Sequence, residues 1–247
     1  MKLVAEVSPS IKKFEYDVKK FPFSELIARM FEIPVEQLPL VHLNYGNQYP
    51  QFEYGHEQET VYHERFYAHV NPSWQNPEAR TELGLEYLAL HQQFVAEELV
   101  PHFGEGLMYQ IVPFFRAHLP GNKALAKPHR DRETLHRGEE VNVYFPFTDA
   151  FGNATVWTET QEGKGDMLPL EAKVGEIFLW NGANLLHMNH LNDTERTRLS
   201  VDFRVIKESQ YQDKPAWKSR TMGVSMNVGG YFERSRDIHK VQTRAPL

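Results

Sequence analysis

The sequence predicts a mainly β fold with flanking α-helices, its core a double-stranded β-helix of the jelly-roll type. Three observations carry this reading. From about residue 106 to residue 206 the apolar spacing changes from helical to alternating, and β-branched and aromatic residues cluster between turn signals. A series of short candidate strands follows there, separated by Gly-Asn, Gly-Lys-Gly and Asn-Gly-Ala, which suits a closed or sandwiched antiparallel sheet, most economically a jelly roll. The helical signal is confined to the part of the chain before this region, so helices can only flank the core.

Taken in order, 1–105 is a helical and irregular N-terminal part, because Pro9, Pro22, Pro34, Pro39, Pro50 and Pro72 leave room only for short elements over most of it. A short helix is expected over Ser24–Glu32, with Ser24 as its cap and Leu26, Ile27 and Met30 on one face. A long amphipathic helix is expected over 76–100, with Asn76 as cap, Pro77 in its first turn and Leu83, Tyr87, Leu90 and Phe94 as its apolar stripe, ending near Pro101. The jelly-roll core, 106–206, takes candidate strands Leu107–His118, Leu125–His129, Glu140–Phe147, Ala154–Glu159, Asp166–Glu171, Glu176–Trp180, Leu185–His190 and Thr197–Ile206. The segment 207–247 is polar and irregular, and Gly229-Gly230-Tyr231-Phe232 is expected to pack back over the barrel mouth. No repeat, linker or low-complexity break divides the chain, so 1–247 reads as a single domain.

Composition excludes several classes. A chain of 247 residues that is 41% apolar and 13% aromatic is long and apolar enough to bury a core, and unlike a disordered one. Its net charge of −6 provides no basic field for a phosphate backbone, so a nucleic-acid partner is not expected. No apolar run reaches the roughly 18 residues of a membrane helix, and MKLVAEVSPSIKKFEYDVKK lacks the apolar region of a signal peptide. The expectation is a cytoplasmic protein with no membrane partner; its oligomeric state is not legible. With no cysteine, disulfides and thiolate chemistry are absent, and a transition metal could be held only by His and carboxylate.

Chemistry concentrates in two stretches, Lys127-Pro128-His129-Arg130-Asp131 and Leu185–Arg204. His129 and Asp131 are two residues apart, so on an extended strand both side chains leave one face and can reach one ion. By itself His-x-Asp is weak evidence: 12 histidines and 33 acidic residues yield about one or two such matches by chance. Its weight comes from Pro128 before it, a long β-rich spacer, His187 on a later strand and Arg198-Leu199-Ser200 beyond that. Two imidazoles and one carboxylate leave three positions open on an octahedral ion, the arrangement of non-haem Fe(II) oxygenases. A guanidinium nearby is a bidentate partner for the far carboxylate of a dicarboxylic cosubstrate. His190 competes with His187 as third ligand but falls on the opposite strand face. His136-Arg137-Gly138 sits in a polar loop and lacks the carboxylate. Arg198, Ser200, Asp202 and Arg204 share one face of their strand, either a solvated face or a polar row inside the barrel, where buried charges must be paired. Arg204 could pair with Asp202 or reach substrate.

These residues carry a family resemblance. PHRDRE, VNVYFPFTDAFGNATVWTE and VGEIFLWNGANLLHMNHLNDTERTRLSVDFRV, within Leu107–Val205, resemble the Fe(II)/2-oxoglutarate-dependent dioxygenases. The likeness is nearest to the bacterial group of streptomycin-biosynthesis-type oxygenases and of free-amino-acid hydroxylases and halogenases. The resemblance implies a cupin-like core, with Fe(II) bound by His129, Asp131 and His187 and the distal carboxylate of 2-oxoglutarate held by Arg198 and Ser200. It places Asn142, Tyr144 and Trp157 beside the cosubstrate, where ordinary barrel packing is their alternative use. Halogenases of this type carry His-x-Gly where hydroxylases carry His-x-Asp, so Asp131 disfavours halogenation. Arg65, Arg116 and Arg204 are candidate substrate contacts, with surface salt bridges the competing role for Arg65 and Arg116. The implied reaction uses O2 to hydroxylate an unactivated C–H bond of a small-molecule substrate, a polar metabolite such as a free amino acid or natural-product intermediate, releasing succinate and CO2. Desaturation, ring closure and epimerisation use the same site. A cupin-like metal isomerase or metabolite binder is the non-oxygenase alternative, and it has no need of Arg-x-Ser.

Overall fold

The computed structural model describes residues 1–45, 60–71, 79–124, 127–134, 136–213, 218 and 224–238. It opens with a hairpin of β1 (Lys2–Ser8) and β2 (Ile11–Glu15), in a region expected to be irregular. The hairpin is held because β2 pairs along the core strand that ends at Trp180, burying Ile11 and Phe14. Ile-Lys-Lys-Phe places these two apolar residues three apart, a spacing that reads as helical until the pairing partner is known.

Next come α1 (Phe23–Met30), a tight 3₁₀ turn over Val35–Leu40, α2 (Val41–Tyr45) and α3 (Val61–Val70). The first matches expectation except at its cap: the Ser24 hydroxyl donates across the core to the Phe147 carbonyl at 2.9 Å. The long helix is α4 (Glu82–Phe94), continued by a π turn over Val95–Leu99 and by α5 (Val100–Phe103). The expected cap, Asn76 followed by Pro77, lies outside the described residues; Thr81 caps α4 by accepting the Gly84 N–H. Pro101 sits within α5, and the chain turns at Gly104 with φ of 72°. The buried stripe of α4 runs through Gly84, Tyr87, Leu88, His91 and Phe94, with Leu83 and Leu90 only half-buried. A Cβ at Gly84 would lie 1.9 Å from the His69 carbonyl oxygen, so α3 and α4 touch there through their backbones.

The strands that follow are β3 (Leu107–Gln110), β4 (Phe114–His118), β5 (Val141–Pro146), β6 (Val156–Thr158), β7 (Leu168–Pro169), β8 (Glu176–Trp180), β9 (His187–Asn189), β10 (Arg198–Lys207) and β11 (Phe232–Arg234). The strand expected over Leu107–His118 is broken before Phe114, where Pro113 cannot donate a ladder hydrogen bond. Of the candidate Leu125–His129 there remains a single bridge between His129 and His187, with 125–126 outside the described residues. The larger sheet runs β1-β2-β8-β5-β10-β3-β11, with β4 also on β10, and the smaller runs β7-β6-β9. All pairings between these strands are antiparallel. Tyr231 is buried and leads into β11, which extends the larger sheet beside β3, so the Gly229–Phe232 stretch ends in sheet pairing.

The centre of this mostly antiparallel structure is β10, flanked by β5 on one edge and by β4 then β3 on the other. Leu199, Val201, Phe203 and Val205 enter the main core, which also takes Phe23, Phe94, Phe115 and Phe145. The opposite face of the same strand carries Arg198, Ser200, Asp202 and Arg204, by the two-residue period of a strand. Among the described residues no helix is long and apolar enough to cross a membrane.

Candidate metal centre

His129, Asp131 and His187 converge so that one ligand atom from each lies within 4.8 Å of the others. The two histidines are joined by backbone hydrogen bonds in both directions, 3.1 and 3.0 Å, and their rings stand 4.2 Å apart. Asp131 does not continue a strand; it starts a short 3₁₀ turn, Asp131–Thr134, and its backbone N–H is held by the Gly182 carbonyl at 3.1 Å. The i, i+2 pair therefore converges through a bridge and a turn.

Both imidazoles are oriented alike. His129 Nδ1 lies 2.8 Å from the Lys127 carbonyl and His187 Nδ1 lies 3.0 Å from the Leu185 carbonyl. A carbonyl can only accept, so each Nδ1 carries the proton in the neutral ring and each Nε2 keeps its lone pair. Those Nε2 atoms lie 3.6 and 3.5 Å from Asp131 Oδ1. The donor set of two neutral nitrogens and one carboxylate oxygen fits a divalent transition ion.

The second Asp131 oxygen is engaged elsewhere. Oδ2 accepts from Asn142 Nδ2 and from Arg204 Nη2, both at 2.8 Å. Burial alone would raise this carboxyl, but the Arg204 guanidinium and the two histidines overcome it and hold Asp131 well below the usual carboxylate range. Arg204 also bonds Asp202 at 2.6 Å, and Asp202 accepts from Arg116 Nε at 2.6 Å. A chain of alternating charges, Arg116–Asp202–Arg204–Asp131, thus lines one wall.

The pocket over this site has a volume of about 570 Å³ including its mouth, and its lining includes the three ligands, Asn142, Tyr144 and Arg198. Arg198 is 1% exposed. Its Nη1 donates to Ser200 Oγ at 2.7 Å, its Nη2 lies 3.5 Å from His118 Nδ1, and it sits 5.8 Å from the Tyr144 ring centre. Among the described residues it forms no ion pair with a carboxylate, and its Nε has no partner. A buried cation with this environment suits an anionic ligand.

No family model matches the chain. The streptomycin biosynthesis protein StrG of Streptomyces griseus is 31% identical to it over 221 residues, covering 90% of this chain and 96% of the relative. The chain belongs to the StrG family. Among solved structures, EctD from S. alaskensis in its apoform aligns with this StrG-family chain at a TM-score of 0.50 and 12% identity, over 90% of this chain and 81% of that one. That likeness is one of fold. A non-haem monooxygenase, ThoJ in its apo form, aligns at a TM-score of 0.47 and 11% identity, over 83% and 74% of the two chains.

Of the other residues singled out in the sequence, this StrG-family structure gathers some and separates others. Asn142 and Tyr144 line the pocket, Asn142 with its amide on Asp131 and Tyr144 with its hydroxyl 3.2 Å from Thr155 Oγ1. Trp157 does not line it: Val156 does, so its neighbour leaves the opposite strand face, where the indole donates to the Gly152 carbonyl at 3.0 Å and packs on His190. Arg116 and Arg204 reach the pocket wall, where Arg116 pairs with Asp202 and Arg204 with both Asp202 and Asp131. Arg65 is outside the pocket, 3.6 Å from Glu32 and over the Tyr45 ring. The His136 ring pairs with Glu140 at 2.6 Å and does not line the pocket. Trp180 was not anticipated. It lines the pocket, is buried, meets the His187 ring edge-on at 4.8 Å and has an unpartnered Nε1. Its sequence signal was its place at the end of Glu176–Trp180, just before the Asn181-Gly182 turn.

Proposed function

We propose that the chain is an Fe(II)- and 2-oxoglutarate-dependent oxygenase that hydroxylates an unactivated C–H bond of a small polar metabolite, a free amino acid or natural-product intermediate. The single observation that carries this reading is the pairing, in one pocket, of the His129–Asp131–His187 donor set with Arg198, a buried cation without a carboxylate among the described residues. Membership of the family of a streptomycin biosynthesis protein supports a role in natural-product metabolism. The two antiparallel sheets, with β9 of the smaller sheet bringing His187 to His129, suit a double-stranded β-helix.

In this reading His129 Nε2, His187 Nε2 and Asp131 Oδ1 would hold Fe(II), Arg198 with Ser200 would take the distal carboxylate of 2-oxoglutarate, and Tyr144 would pack beside it. Bound Fe(II) with 2-oxoglutarate and O2 supplies an oxidant for the C–H bond, leaving succinate and CO2. The residues do the rest by position. The carbonyls of Lys127 and Leu185 fix the tautomers of the two histidines, and Trp180 shields the His187 ring. The pocket walls would hold a substrate with one C–H bond near the metal, converting binding energy into orientation.

The test is the visible spectrum of anaerobic Fe(II)-loaded protein before and after 2-oxoglutarate, beside a His187→Ala control. A metal-to-ligand charge-transfer band is expected with the keto acid and is expected to vanish in the control. Folded, iron-loaded protein without that band would remove the oxygenase reading.

A further inference from the structure

Resting on the metal-site reading above, we propose that Arg204 is a positioning residue that keeps Asp131 a one-oxygen ligand and so preserves three open positions on the metal. The two carboxylate oxygens of Asp131 have separate environments. Oδ1 faces both Nε2 atoms, at 3.6 Å from His129 and 3.5 Å from His187. Oδ2 is turned to the other side and receives two donors, Arg204 Nη2 and Asn142 Nδ2, each at 2.8 Å. An sp² oxygen with two N–H donors has its lone-pair directions filled, and binding an ion there would break a charge-assisted hydrogen bond in a buried place.

Arg204 cannot easily turn away. Its Nη1 is on Asp202 Oδ2 at 2.6 Å, and Asp202 is itself held by Arg116. The side chain is 5% exposed and lies over the Phe114 ring at 5.1 Å. Its backbone N–H donates to Gln110 Oε1, which also accepts the Tyr231 hydroxyl at 2.8 Å. The planar guanidinium therefore spans two carboxylates, which one lysine ammonium could not reproduce with the same geometry.

Two consequences follow for the site. Without an ion, the guanidinium compensates the buried charge of Asp131, so the donor set is assembled beforehand. With a six-coordinate ion, two imidazoles and one oxygen leave three positions, whereas a two-oxygen carboxylate would leave two. 2-Oxoglutarate needs two and O2 a third, so the clamp decides whether the oxidant's position remains open.

The test uses Mn(II) as a spectroscopic probe, with electron paramagnetic resonance in oxygen-17-enriched water to count the waters bound to the ion. The variants are Arg204→Met, Asn142→Val and their combination. Arg204→Met approximates the side-chain volume and leaves Asp202 its Arg116 partner; Asn142→Val leaves every charge in place, so the comparison survives if the first variant folds poorly. Three waters are expected in the unmodified protein and two in the combined variant, or in Asn142→Val a population moving from three towards two. With Fe(II), the charge-transfer band given by 2-oxoglutarate is expected to persist while turnover falls at least about tenfold. A purely structural role would lower stability and leave the water count at three, and a count of three in all folded variants overturns the proposal. Failure of the unmodified protein to bind Mn(II) would instead overturn the metal-site reading, and it is seen before any variant is measured.

Discussion

Glu159 and Arg130 join the two stretches of chain that carry the metal ligands. Glu159 Oε1 accepts from Arg130 Nη2 at 3.0 Å and from the Leu186 N–H at 2.7 Å. Arg130 stands between His129 and Asp131, and Leu186 immediately precedes His187. The Glu159 side chain is 1% exposed, so one buried carboxylate sets the separation of the two segments. Glu159→Gln keeps the shape and removes the charge. We expect Mn(II) affinity to fall roughly ten- to a hundredfold in a calorimetric titration, with an unaltered circular dichroism spectrum. Unchanged affinity would remove Glu159 from the support of the metal site.

Arg198 presents a trade between binding and stability. It is a buried cation without a carboxylate partner among the described residues, so replacing it with an apolar side chain of similar length removes an uncompensated charge. Arg198→Met is expected to melt at the same temperature as the unmodified protein or a few degrees higher when ligand-free. Its requirement for 2-oxoglutarate is expected to rise by about thirtyfold or more, from the loss of a desolvated charge pair. A large loss of ligand-free stability with unchanged cosubstrate affinity would assign Arg198 to the fold instead.

Asp131→Ala leaves Arg204 its second partner, Asp202, at 2.6 Å. The fold is therefore expected to survive while normal turnover is lost, checked by circular dichroism beside 2-oxoglutarate consumption. Asp131→Gly opens the same ligand position to chloride, and chlorinated product is the outcome to seek by mass spectrometry. Full turnover of Asp131→Ala would exclude the carboxylate from the site.

Two buried histidines outside the pocket lining give the protein an acid-sensitive core. Burial, with Arg116 adding to it, lowers His63 to about 3, and burial lowers His91 to about 4, both from an ordinary 6.5. At pH 5 both are neutral when folded and protonated when unfolded. The unfolded chain then binds more protons, so stability rises with pH between the folded and unfolded values. The contribution is complete above 6.5, is lost as pH falls, and costs about 2 kcal/mol per histidine at pH 5. Urea midpoints at pH 7.5 and 5 should show the difference, and His91→Gln should shrink it. Equal midpoints at the two pH values would contradict the buried neutral state.

Much of the candidate site was legible because its signals are local. Arg198 and Ser200 are two residues apart on β10, so their side chains share a face whatever the sheet does around them, whereas the same spacing in His129 and Asp131 converges through a bridge and a 3₁₀ turn. The alternation on β10 also placed Leu199, Val201 and Phe203 in the core, where the structure has them. Trp157 is less legible, because a three-residue strand gives no reliable phase until its partners are known. Val156 lines the pocket, whereas the Trp157 indole is held by the Gly152 carbonyl.

The sequence by itself determined the donor chemistry, two histidines and one carboxylate in a chain without cysteine, and the apolar alternation that builds a mostly antiparallel sheet. Only the tertiary structure decided that Arg116 and Arg204 serve Asp202 and Asp131, that Trp180 covers His187, and that the first strands join the core through β8. The physical reason is that side-chain type and facing are local properties. Which buried charge meets which is fixed by cross-strand register between segments distant in the chain.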